Sequence, residues 1–213
     1  MFRLYSERAA ARILEKHDAS IQEVCARCGL PAPALQAVLL QELSQIDLFD
    51  PLADALVWLN GARFSLRERL AGKALQLPQK RGALYKFDSS TGYAQIYAFV
   101  GVAALRFGCA HALCRMEDFG FAPGETLDAA LGRDRRRVWL RLRRDRRFNL
   151  ALAALNLMSA SEEVAGHTDF SALTSEELQR VFTRYNCSRA DLVSAYGRAV
   201  YDRFLRLTSQ KKA

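Results

Sequence analysis

The residue whose chemistry is most at odds with its position is Glu42. Around it Leu35, Val38, Leu39, Leu43 and Ile46 recur at the spacing of one face of an α-helix. Glu42 lies seven positions after Leu35, four after Val38, three after Leu39 and four before Ile46, so it falls on the apolar face. An ionised carboxylate withdrawn from water is costly unless a partner holds it. Burial therefore lifts its pKa toward neutrality, as a general acid working near pH 7 requires. The same position also suits a Glu paired with one of the many arginines.

Two further groups of side chains could carry chemistry. The five cysteines are Cys25, Cys28, Cys109, Cys114 and Cys187. Cys25 and Cys28 lie three apart on an expected helix, and Cys109 and Cys114 flank His111. Four thiols can hold zinc, but the separation of roughly 80 residues between the pairs and the helical setting of the first argue against it. A Cys109–Cys114 disulfide in an oxidising compartment, or plain core thiols, are the alternatives. No metal and no cofactor is expected. The other group is the run Arg133 to Arg147, with nine arginines against two aspartates, which holds seven of the eight net positive charges of the chain. A local basic patch implies a polyanionic partner or a solvated helix face laced with salt bridges.

The elements that must position these residues read as helices. Residues 4–16 form one, with Leu4, Ala9, Ala10, Ile13 and Leu14 on one side. Asp18 or Ser20 caps a second, which runs through Cys28 and ends at Gly29. Pro31 or Pro33 opens the Glu42 helix and Pro51 stops it. Asn60-Gly61 is a turn signal, and residues 62–87 read as an irregular connector with at most one short helix. Asp88 to Gly92 is a polar turn feeding an apolar helix from Tyr93 to Phe107. Residues 110–118 look helical, and Thr126 caps a short helix ending at Gly132. The basic stretch and residues 148–158 make one long amphipathic helix or two abutting ones. Ser161 to Thr174 is loop. Thr174 to Glu177 is a capping box opening a helix through Tyr185, and Ser188 caps the last helix.

A chain of 213 residues, half of them apolar, suffices for one mainly α domain. No apolar run approaches the ~18 residues of a membrane span. The first residues, MFRLYSERAAARILEKHD, carry charge from Arg3 onward and lack a signal-peptide core. The expectation is a cytoplasmic chain, one that leaves by a route needing no cleaved signal, or one whose signal has been removed.

Four segments stand in a fixed order: Gln41-Glu42-Leu43-Ser44; Ser89-Ser90-Thr91-Gly92 running into Tyr93-Ala94-Gln95-Ile96; Asp145 to Leu155; and Arg184-Tyr185-Asn186 followed by Ser194 to Val200. This order resembles the lysozyme-like superfamily, in particular soluble lytic transglycosylases and goose-type lysozymes. In that family a buried catalytic Glu is followed by an S-x-x-G-L-M-Q-[IL] segment, a core helix and an A-Y-N motif. The resemblance spans about residues 20–207, with residues 1–19 as an N-terminal helical extension and 20–210 as the lysozyme-like domain. The chain departs from the pattern in three places. Leu43 follows the Glu where Ser is usual, Tyr93-Ala94 replaces Leu-Met, and Glu42 and Gly92 are 50 positions apart, enough to shape a groove wall or lid.

The resemblance implies cleavage of the MurNAc–GlcNAc β-1,4 bond of peptidoglycan, with Glu42 as the acid. Glycosidic cleavage needs a proton on the leaving oxygen and stabilisation of an oxocarbenium-like carbon. In a muramidase a second carboxylate activates water. Asp88 is then the candidate by likeness to goose-type enzymes, with Asp47, Asp50 and Asp54 as alternatives and a helix-capping turn aspartate as its plain reading. In a lytic transglycosylase the substrate's own 6-hydroxyl attacks and no second carboxylate is needed. Tyr185 would then bond Glu42 or the sugar, Gln95 would bind saccharide, and Ser90, Thr91, Gly92, Tyr93 and Asn186 would line the site. Tyr93, Tyr97 and Trp58 are candidates for stacking on sugars.

The implied partners are glycan strands and an inhibitor, immunity or secretion-machine protein, with no specific nucleic acid. The implied place of action is the periplasm or cell wall, reached by a specialised or phage-type route, as by a bacteriolytic toxin, or on release from the cytoplasm. The competing expectations are a lysozyme-like module that binds glycan or a partner without turnover, and a helical nucleic-acid binder using the arginine run.

Overall fold

The computed structural model describes residues 3–47, 49–78 and 86–210. Among them are nine α-helices and a few isolated β-bridges, so the protein is mainly α, as its composition and periodicity led one to expect. In chain order the helices are α1 (Glu7–Lys16), α2 (Asp18–Cys28), α3 (Ala32–Gln45), α4 (Phe49–Ala71), α5 (Ala98–Ala110), α6 (Gly132–Arg144), α7 (Arg146–Ala165), α8 (Ser175–Asn186) and α9 (Ala195–Gln210). None of the described helices is long and apolar enough to cross a membrane.

The core is built around α7. Its residues Phe148 to Met158 are buried without a polar face, which is how a helix wrapped by neighbours reads. α2, α5, α6 and α8 pack against it, and α3 lies between α1, α2 and α9. α1 shares this core through Ala10 and Leu14, so the N-terminal helix is built into the domain and does not stand off it.

Local chemistry sets most boundaries. Ser6 Oγ accepts the Ala9 amide to start α1, and Gly29, at φ 70°, ends α2. The expected capping box opens α8: Thr174 and Glu177 exchange bonds to each other's amides. Asp145 separates α6 from α7, its Oδ1 accepting the Phe148 amide at 3.0 Å, so the basic stretch and the apolar one are two helices.

Several expectations are corrected. α3 ends at Gln45, and Pro51 sits in the first turn of α4, where a missing amide hydrogen costs nothing. Asn60-Gly61 is no turn. It lies mid-helix, where Gly61 lets the Arg136 side chain approach a would-be Cβ to 3.2 Å. α4 therefore occupies much of the expected connector, whose residues 79–85 lie outside the described residues. The apolar helix starts at Ala98 and not at Tyr93, because 91–96 folds into a tight turn. Residues 112–118 are a turn and a single 3-10 turn, Met116–Phe119. Thr126 starts no helix, and Gly132 opens α6 where a helix end was expected. Residues 161–165 belong to α7. Ser194, not Ser188, caps α9, accepting the Gly197 amide at 3.1 Å.

Candidate active site

Glu42 sits in the last turns of α3 among Gln41, Leu43 and Ser44, all buried, and is itself 8 % exposed. What exposure remains opens onto a cleft of about 520 Å³. The Tyr196 hydroxyl, on α9, donates to Glu42 Oε1. Burial pushes the Glu42 carboxyl up to about 7; the Tyr196 bond pulls the other way, and the nearby charge of Asp50 adds to the rise. The group is therefore poised to hold or release a proton near neutral pH.

Tyr196 reaches Glu42 because α9 lies close on α8 and α3. Gly197 makes the first contact possible: a Cβ there would stand 2.0 Å from Thr183 Oγ1. Arg203 makes the second, its Nε donating to Gln41 Oε1 at 3.0 Å beside Glu42 while its other end pairs with Glu7 on α1.

One wall of the cleft is apolar and comes from the start of α5, with Ile96, Tyr97, Phe99 and Val100. The opposite wall is polar: Asn156 and Glu163 from α7, and Arg184, Tyr185 and Asn186 from the end of α8. Arg184 holds Glu163 through two bonds, the Nη2 one at 2.9 Å, so this second carboxylate of the cleft is engaged in a fork-shaped ion pair.

Between the walls Gln95 is carried on a turn fixed from three sides. Asn149 on α7 accepts the Ala94 amide at 2.9 Å and donates to the Thr91 carbonyl at 3.1 Å. Tyr185 donates to the Ala94 carbonyl at 2.9 Å. On the α4 side Asp54 accepts the hydroxyls of Ser89 (2.7 Å) and Thr91 (3.0 Å). Gly92 at φ 75° packs directly on Asn149, and Gln95 itself adopts φ 47°. The Gln95 amide closes the turn, donating to the Gly92 carbonyl at 2.9 Å and accepting from Ser90 at 3.1 Å.

Of the residues singled out in the sequence, Glu42, Gln95, Tyr185, Asn186 and Tyr97 meet at this cleft. Ser90, Thr91 and Gly92 build the turn that carries Gln95 and are not among the lining residues. Tyr93 packs against His17 and lies under the Arg146 guanidinium. Trp58 lines a small hollow between α4 and α6 with Phe64 and Trp139.

Asp88 also stands apart from the cleft. It is 2 % exposed, with one oxygen accepting the Ala98 amide (2.8 Å) and the other the Phe99 amide (3.0 Å). That is a helix cap for α5, the plain reading of a turn aspartate. Burial raises its pKa to about 6, against the pull of these amides and of Arg135. Tyr185 does not bond Glu42; Tyr196 does. Burial and the Glu42 charge hold both phenols well above the ordinary tyrosine range.

Sequence reasoning gave no role to Tyr196 and missed the contributions of Asn149, Asn156, Glu163 and Arg184. The available signal was Gly197 directly after Tyr196, a place where two helices can touch.

The arginine run is largely engaged within the fold. Arg137 pairs with Glu125, Arg141 with Asp145, Arg143 with Asp54 and Arg147 with Glu23, and Arg136 donates to Ser65. Arg141 also lies over Phe121 and Phe148. No disulfide links cysteines among the described residues, and the Cys109 and Cys114 sulfurs stand 3.9 Å apart. Among the described residues no group of three or more His, Cys, Asp or Glu is arranged to hold a metal ion.

Comparison with protein-family models, with curated proteins and with solved structures finds no match for this chain. The chemistry of the cleft is therefore what bears on function.

Proposed function

We propose that the protein cleaves the β-1,4 glycosidic bond between MurNAc and GlcNAc in peptidoglycan, with Glu42 as general acid and then general base. The observation that carries this reading is one buried carboxyl, held at about 7 by burial and bonded by Tyr196, on the wall of an open cleft. A group with that pKa is substantially protonated at neutral pH and can release its proton at little cost.

The reaction follows from these parts. Glu42 gives its proton to the glycosidic oxygen as the bond to the anomeric carbon breaks. The carboxylate then stabilises the oxocarbenium-like carbon, and Tyr196 supports the new charge by donating to it. Glu42 next accepts the proton of the sugar's own 6-hydroxyl, whose oxygen closes on the anomeric carbon to give a 1,6-anhydro end. The lytic transglycosylase route is favoured because Asp88 caps α5 and Glu163 is paired with Arg184, leaving Glu42 as the carboxyl on the described walls that is held by a hydroxyl and not by an ion pair. Gln95, Tyr97 and the polar wall of α7 and α8 supply saccharide contacts. Glycan strands are then the partner, and the site of action is the periplasm or cell wall.

Hydrolysis is the second reading, supported by the charge of Asp50 felt at Glu42. Release of soluble fragments from purified peptidoglycan by wild type and by Glu42→Gln tests the proposal. Loss of release with an unchanged fold supports it; equal release by both contradicts it.

A further inference from the structure

Cys109 lies in the last turn of α5, and Cys114 follows five positions on, just before the 3-10 turn Met116–Phe119. Their sulfurs stand 3.9 Å apart, and the backbone holds them there. The Gly108 carbonyl accepts the amides of both Leu113 (2.8 Å) and Cys114 (3.4 Å), folding the chain back over the helix end. Gly108 also leaves room for the second sulfur: a Cβ there would stand 2.7 Å from Cys114 Sγ. Ala112, at φ 56°, takes the left-handed conformation of the reversal, one that an L side chain rarely adopts. His111 pins the same turn, its two ring nitrogens each 3.0 Å from an oxygen, one the Phe107 carbonyl and the other Glu162 on α7.

We propose that Cys109 and Cys114 are a modification site, closing reversibly to a disulfide by exchange with a small-molecule disulfide such as oxidised glutathione. This inference is independent of the role of Glu42. Two thiols held in contact meet at a high effective concentration. Bond formation asks the sulfurs to approach by about 2 Å. Both residues are partly exposed, whereas Cys25 and Cys28 are buried on α2, and Cys187 donates to the Arg189 carbonyl at 3.6 Å. A hollow of about 230 Å³ opens beside Cys114, and Cys28 lines it too, which makes Cys28 the competing thiol.

Burial and the neighbouring Cys109 hold the Cys114 thiol above its ordinary range, so Cys109 opens the exchange. The Cys109 thiolate attacks one sulfur of the reagent, releases one small thiol and is left in a mixed disulfide. The Cys114 thiolate then attacks Cys109 Sγ and releases the second. The protons pass through water to the departing thiolates. The protein loses two hydrogens and two electrons, and one small disulfide becomes two small thiols.

The native protein is equilibrated with oxidised and reduced glutathione, quenched in acid and read by mass spectrometry. Trypsin cuts after Arg106 and Arg115, so Phe107 to Arg115 is one peptide holding both cysteines. That peptide is expected to be two hydrogens lighter. At millimolar reduced glutathione it is expected to outnumber its own mixed disulfide roughly tenfold or more. Cys109→Ser and Cys114→Ser are expected to stop at the mixed disulfide. Closing a loop of about six residues is expected to lower the unfolding constant in urea roughly thirtyfold. A peptide left unlinked, a lasting glutathione adduct on wild type, or a link from Cys114 to the peptide that begins at Cys28 overturns the proposal. So does a closed form less stable than the reduced one, which would show that the native turn does not admit the bond.

Discussion

Tyr196 on α9 donates its hydroxyl hydrogen to Glu42 on α3, tying the carboxyl that lines the cleft to a side chain 154 positions away. The bond favours the charged form of Glu42 while burial favours the neutral one, and the balance leaves the carboxyl at about 7.

Tyr196→Phe removes the donor and keeps the ring. Glu42 then loses the one interaction that lowers its pKa, so the alkaline limb of the pH–activity profile moves to higher pH. The rate at neutral pH is expected to fall about tenfold, the cost of one hydrogen bond to the developing carboxylate. A profile that keeps its position would show that Tyr196 does not tune Glu42.

Glu42 also writes a pH dependence into stability. It is an acid whose folded pKa, about 7, lies above the ordinary 4.5, so the folded state holds its proton more tightly than the unfolded chain does. Its burial costs nothing below pH 4.5, and stability is lost as pH rises from 4.5 to 7, by up to about 3 kcal/mol. Asp88, raised from 3.8 to about 6, acts in the same direction. Glu42→Gln is therefore expected to be more stable than wild type above pH 7 and no more stable near pH 4. Urea denaturation at the two pH values reads this difference.

Asp88→Ala separates a cap from a catalyst. It leaves the Ala98 and Phe99 amides without their acceptor and is expected to cost about 2 kcal/mol. Peptidoglycan cleavage per folded molecule, measured well below the unfolding midpoint, is expected to stay within about threefold of wild type if Asp88 acts only as a cap. Abolished cleavage in a folded variant would return Asp88 to the chemistry.

Gly92→Ala strains the turn that carries Gln95. The backbone there is at φ 75°, and an added Cβ would stand 2.3 Å from Asn149 Nδ2 and 2.8 Å from the Leu142 carbonyl oxygen. The variant is expected to lose at least about 2 kcal/mol of stability and to bind glycan more weakly. A thermal melt and glycan titration of the same sample check both.

The helical character of the chain, the buried Glu42 and the capping box of α8 were legible because each is local: a period, a misplaced charge, a Thr-x-x-Glu. What was not legible depends on partners distant in sequence. Residues 93–97 read as helix by composition, yet Asn149 and Tyr185 hold 91–94 as a turn and Asp88 starts the helix at Ala98. Asn60-Gly61 reads as a turn, yet Gly61 is where α4 accepts the Arg136 side chain. Tyr196 sits on the periodic face of its helix and reads as core. Its hydroxyl becomes chemical only once α9 is laid against α3.

The most direct measurement is mass spectrometry of the fragments made from purified peptidoglycan by wild type and by Glu42→Gln. Glu42 acting as acid and then base gives anhydro-muramic ends from wild type and none from the variant. Reducing ends would instead mean that water attacks, and would turn attention to Asp50. No fragments from folded wild-type protein on any of several wall types would contradict the enzymatic account and leave a cleft that binds without cleaving.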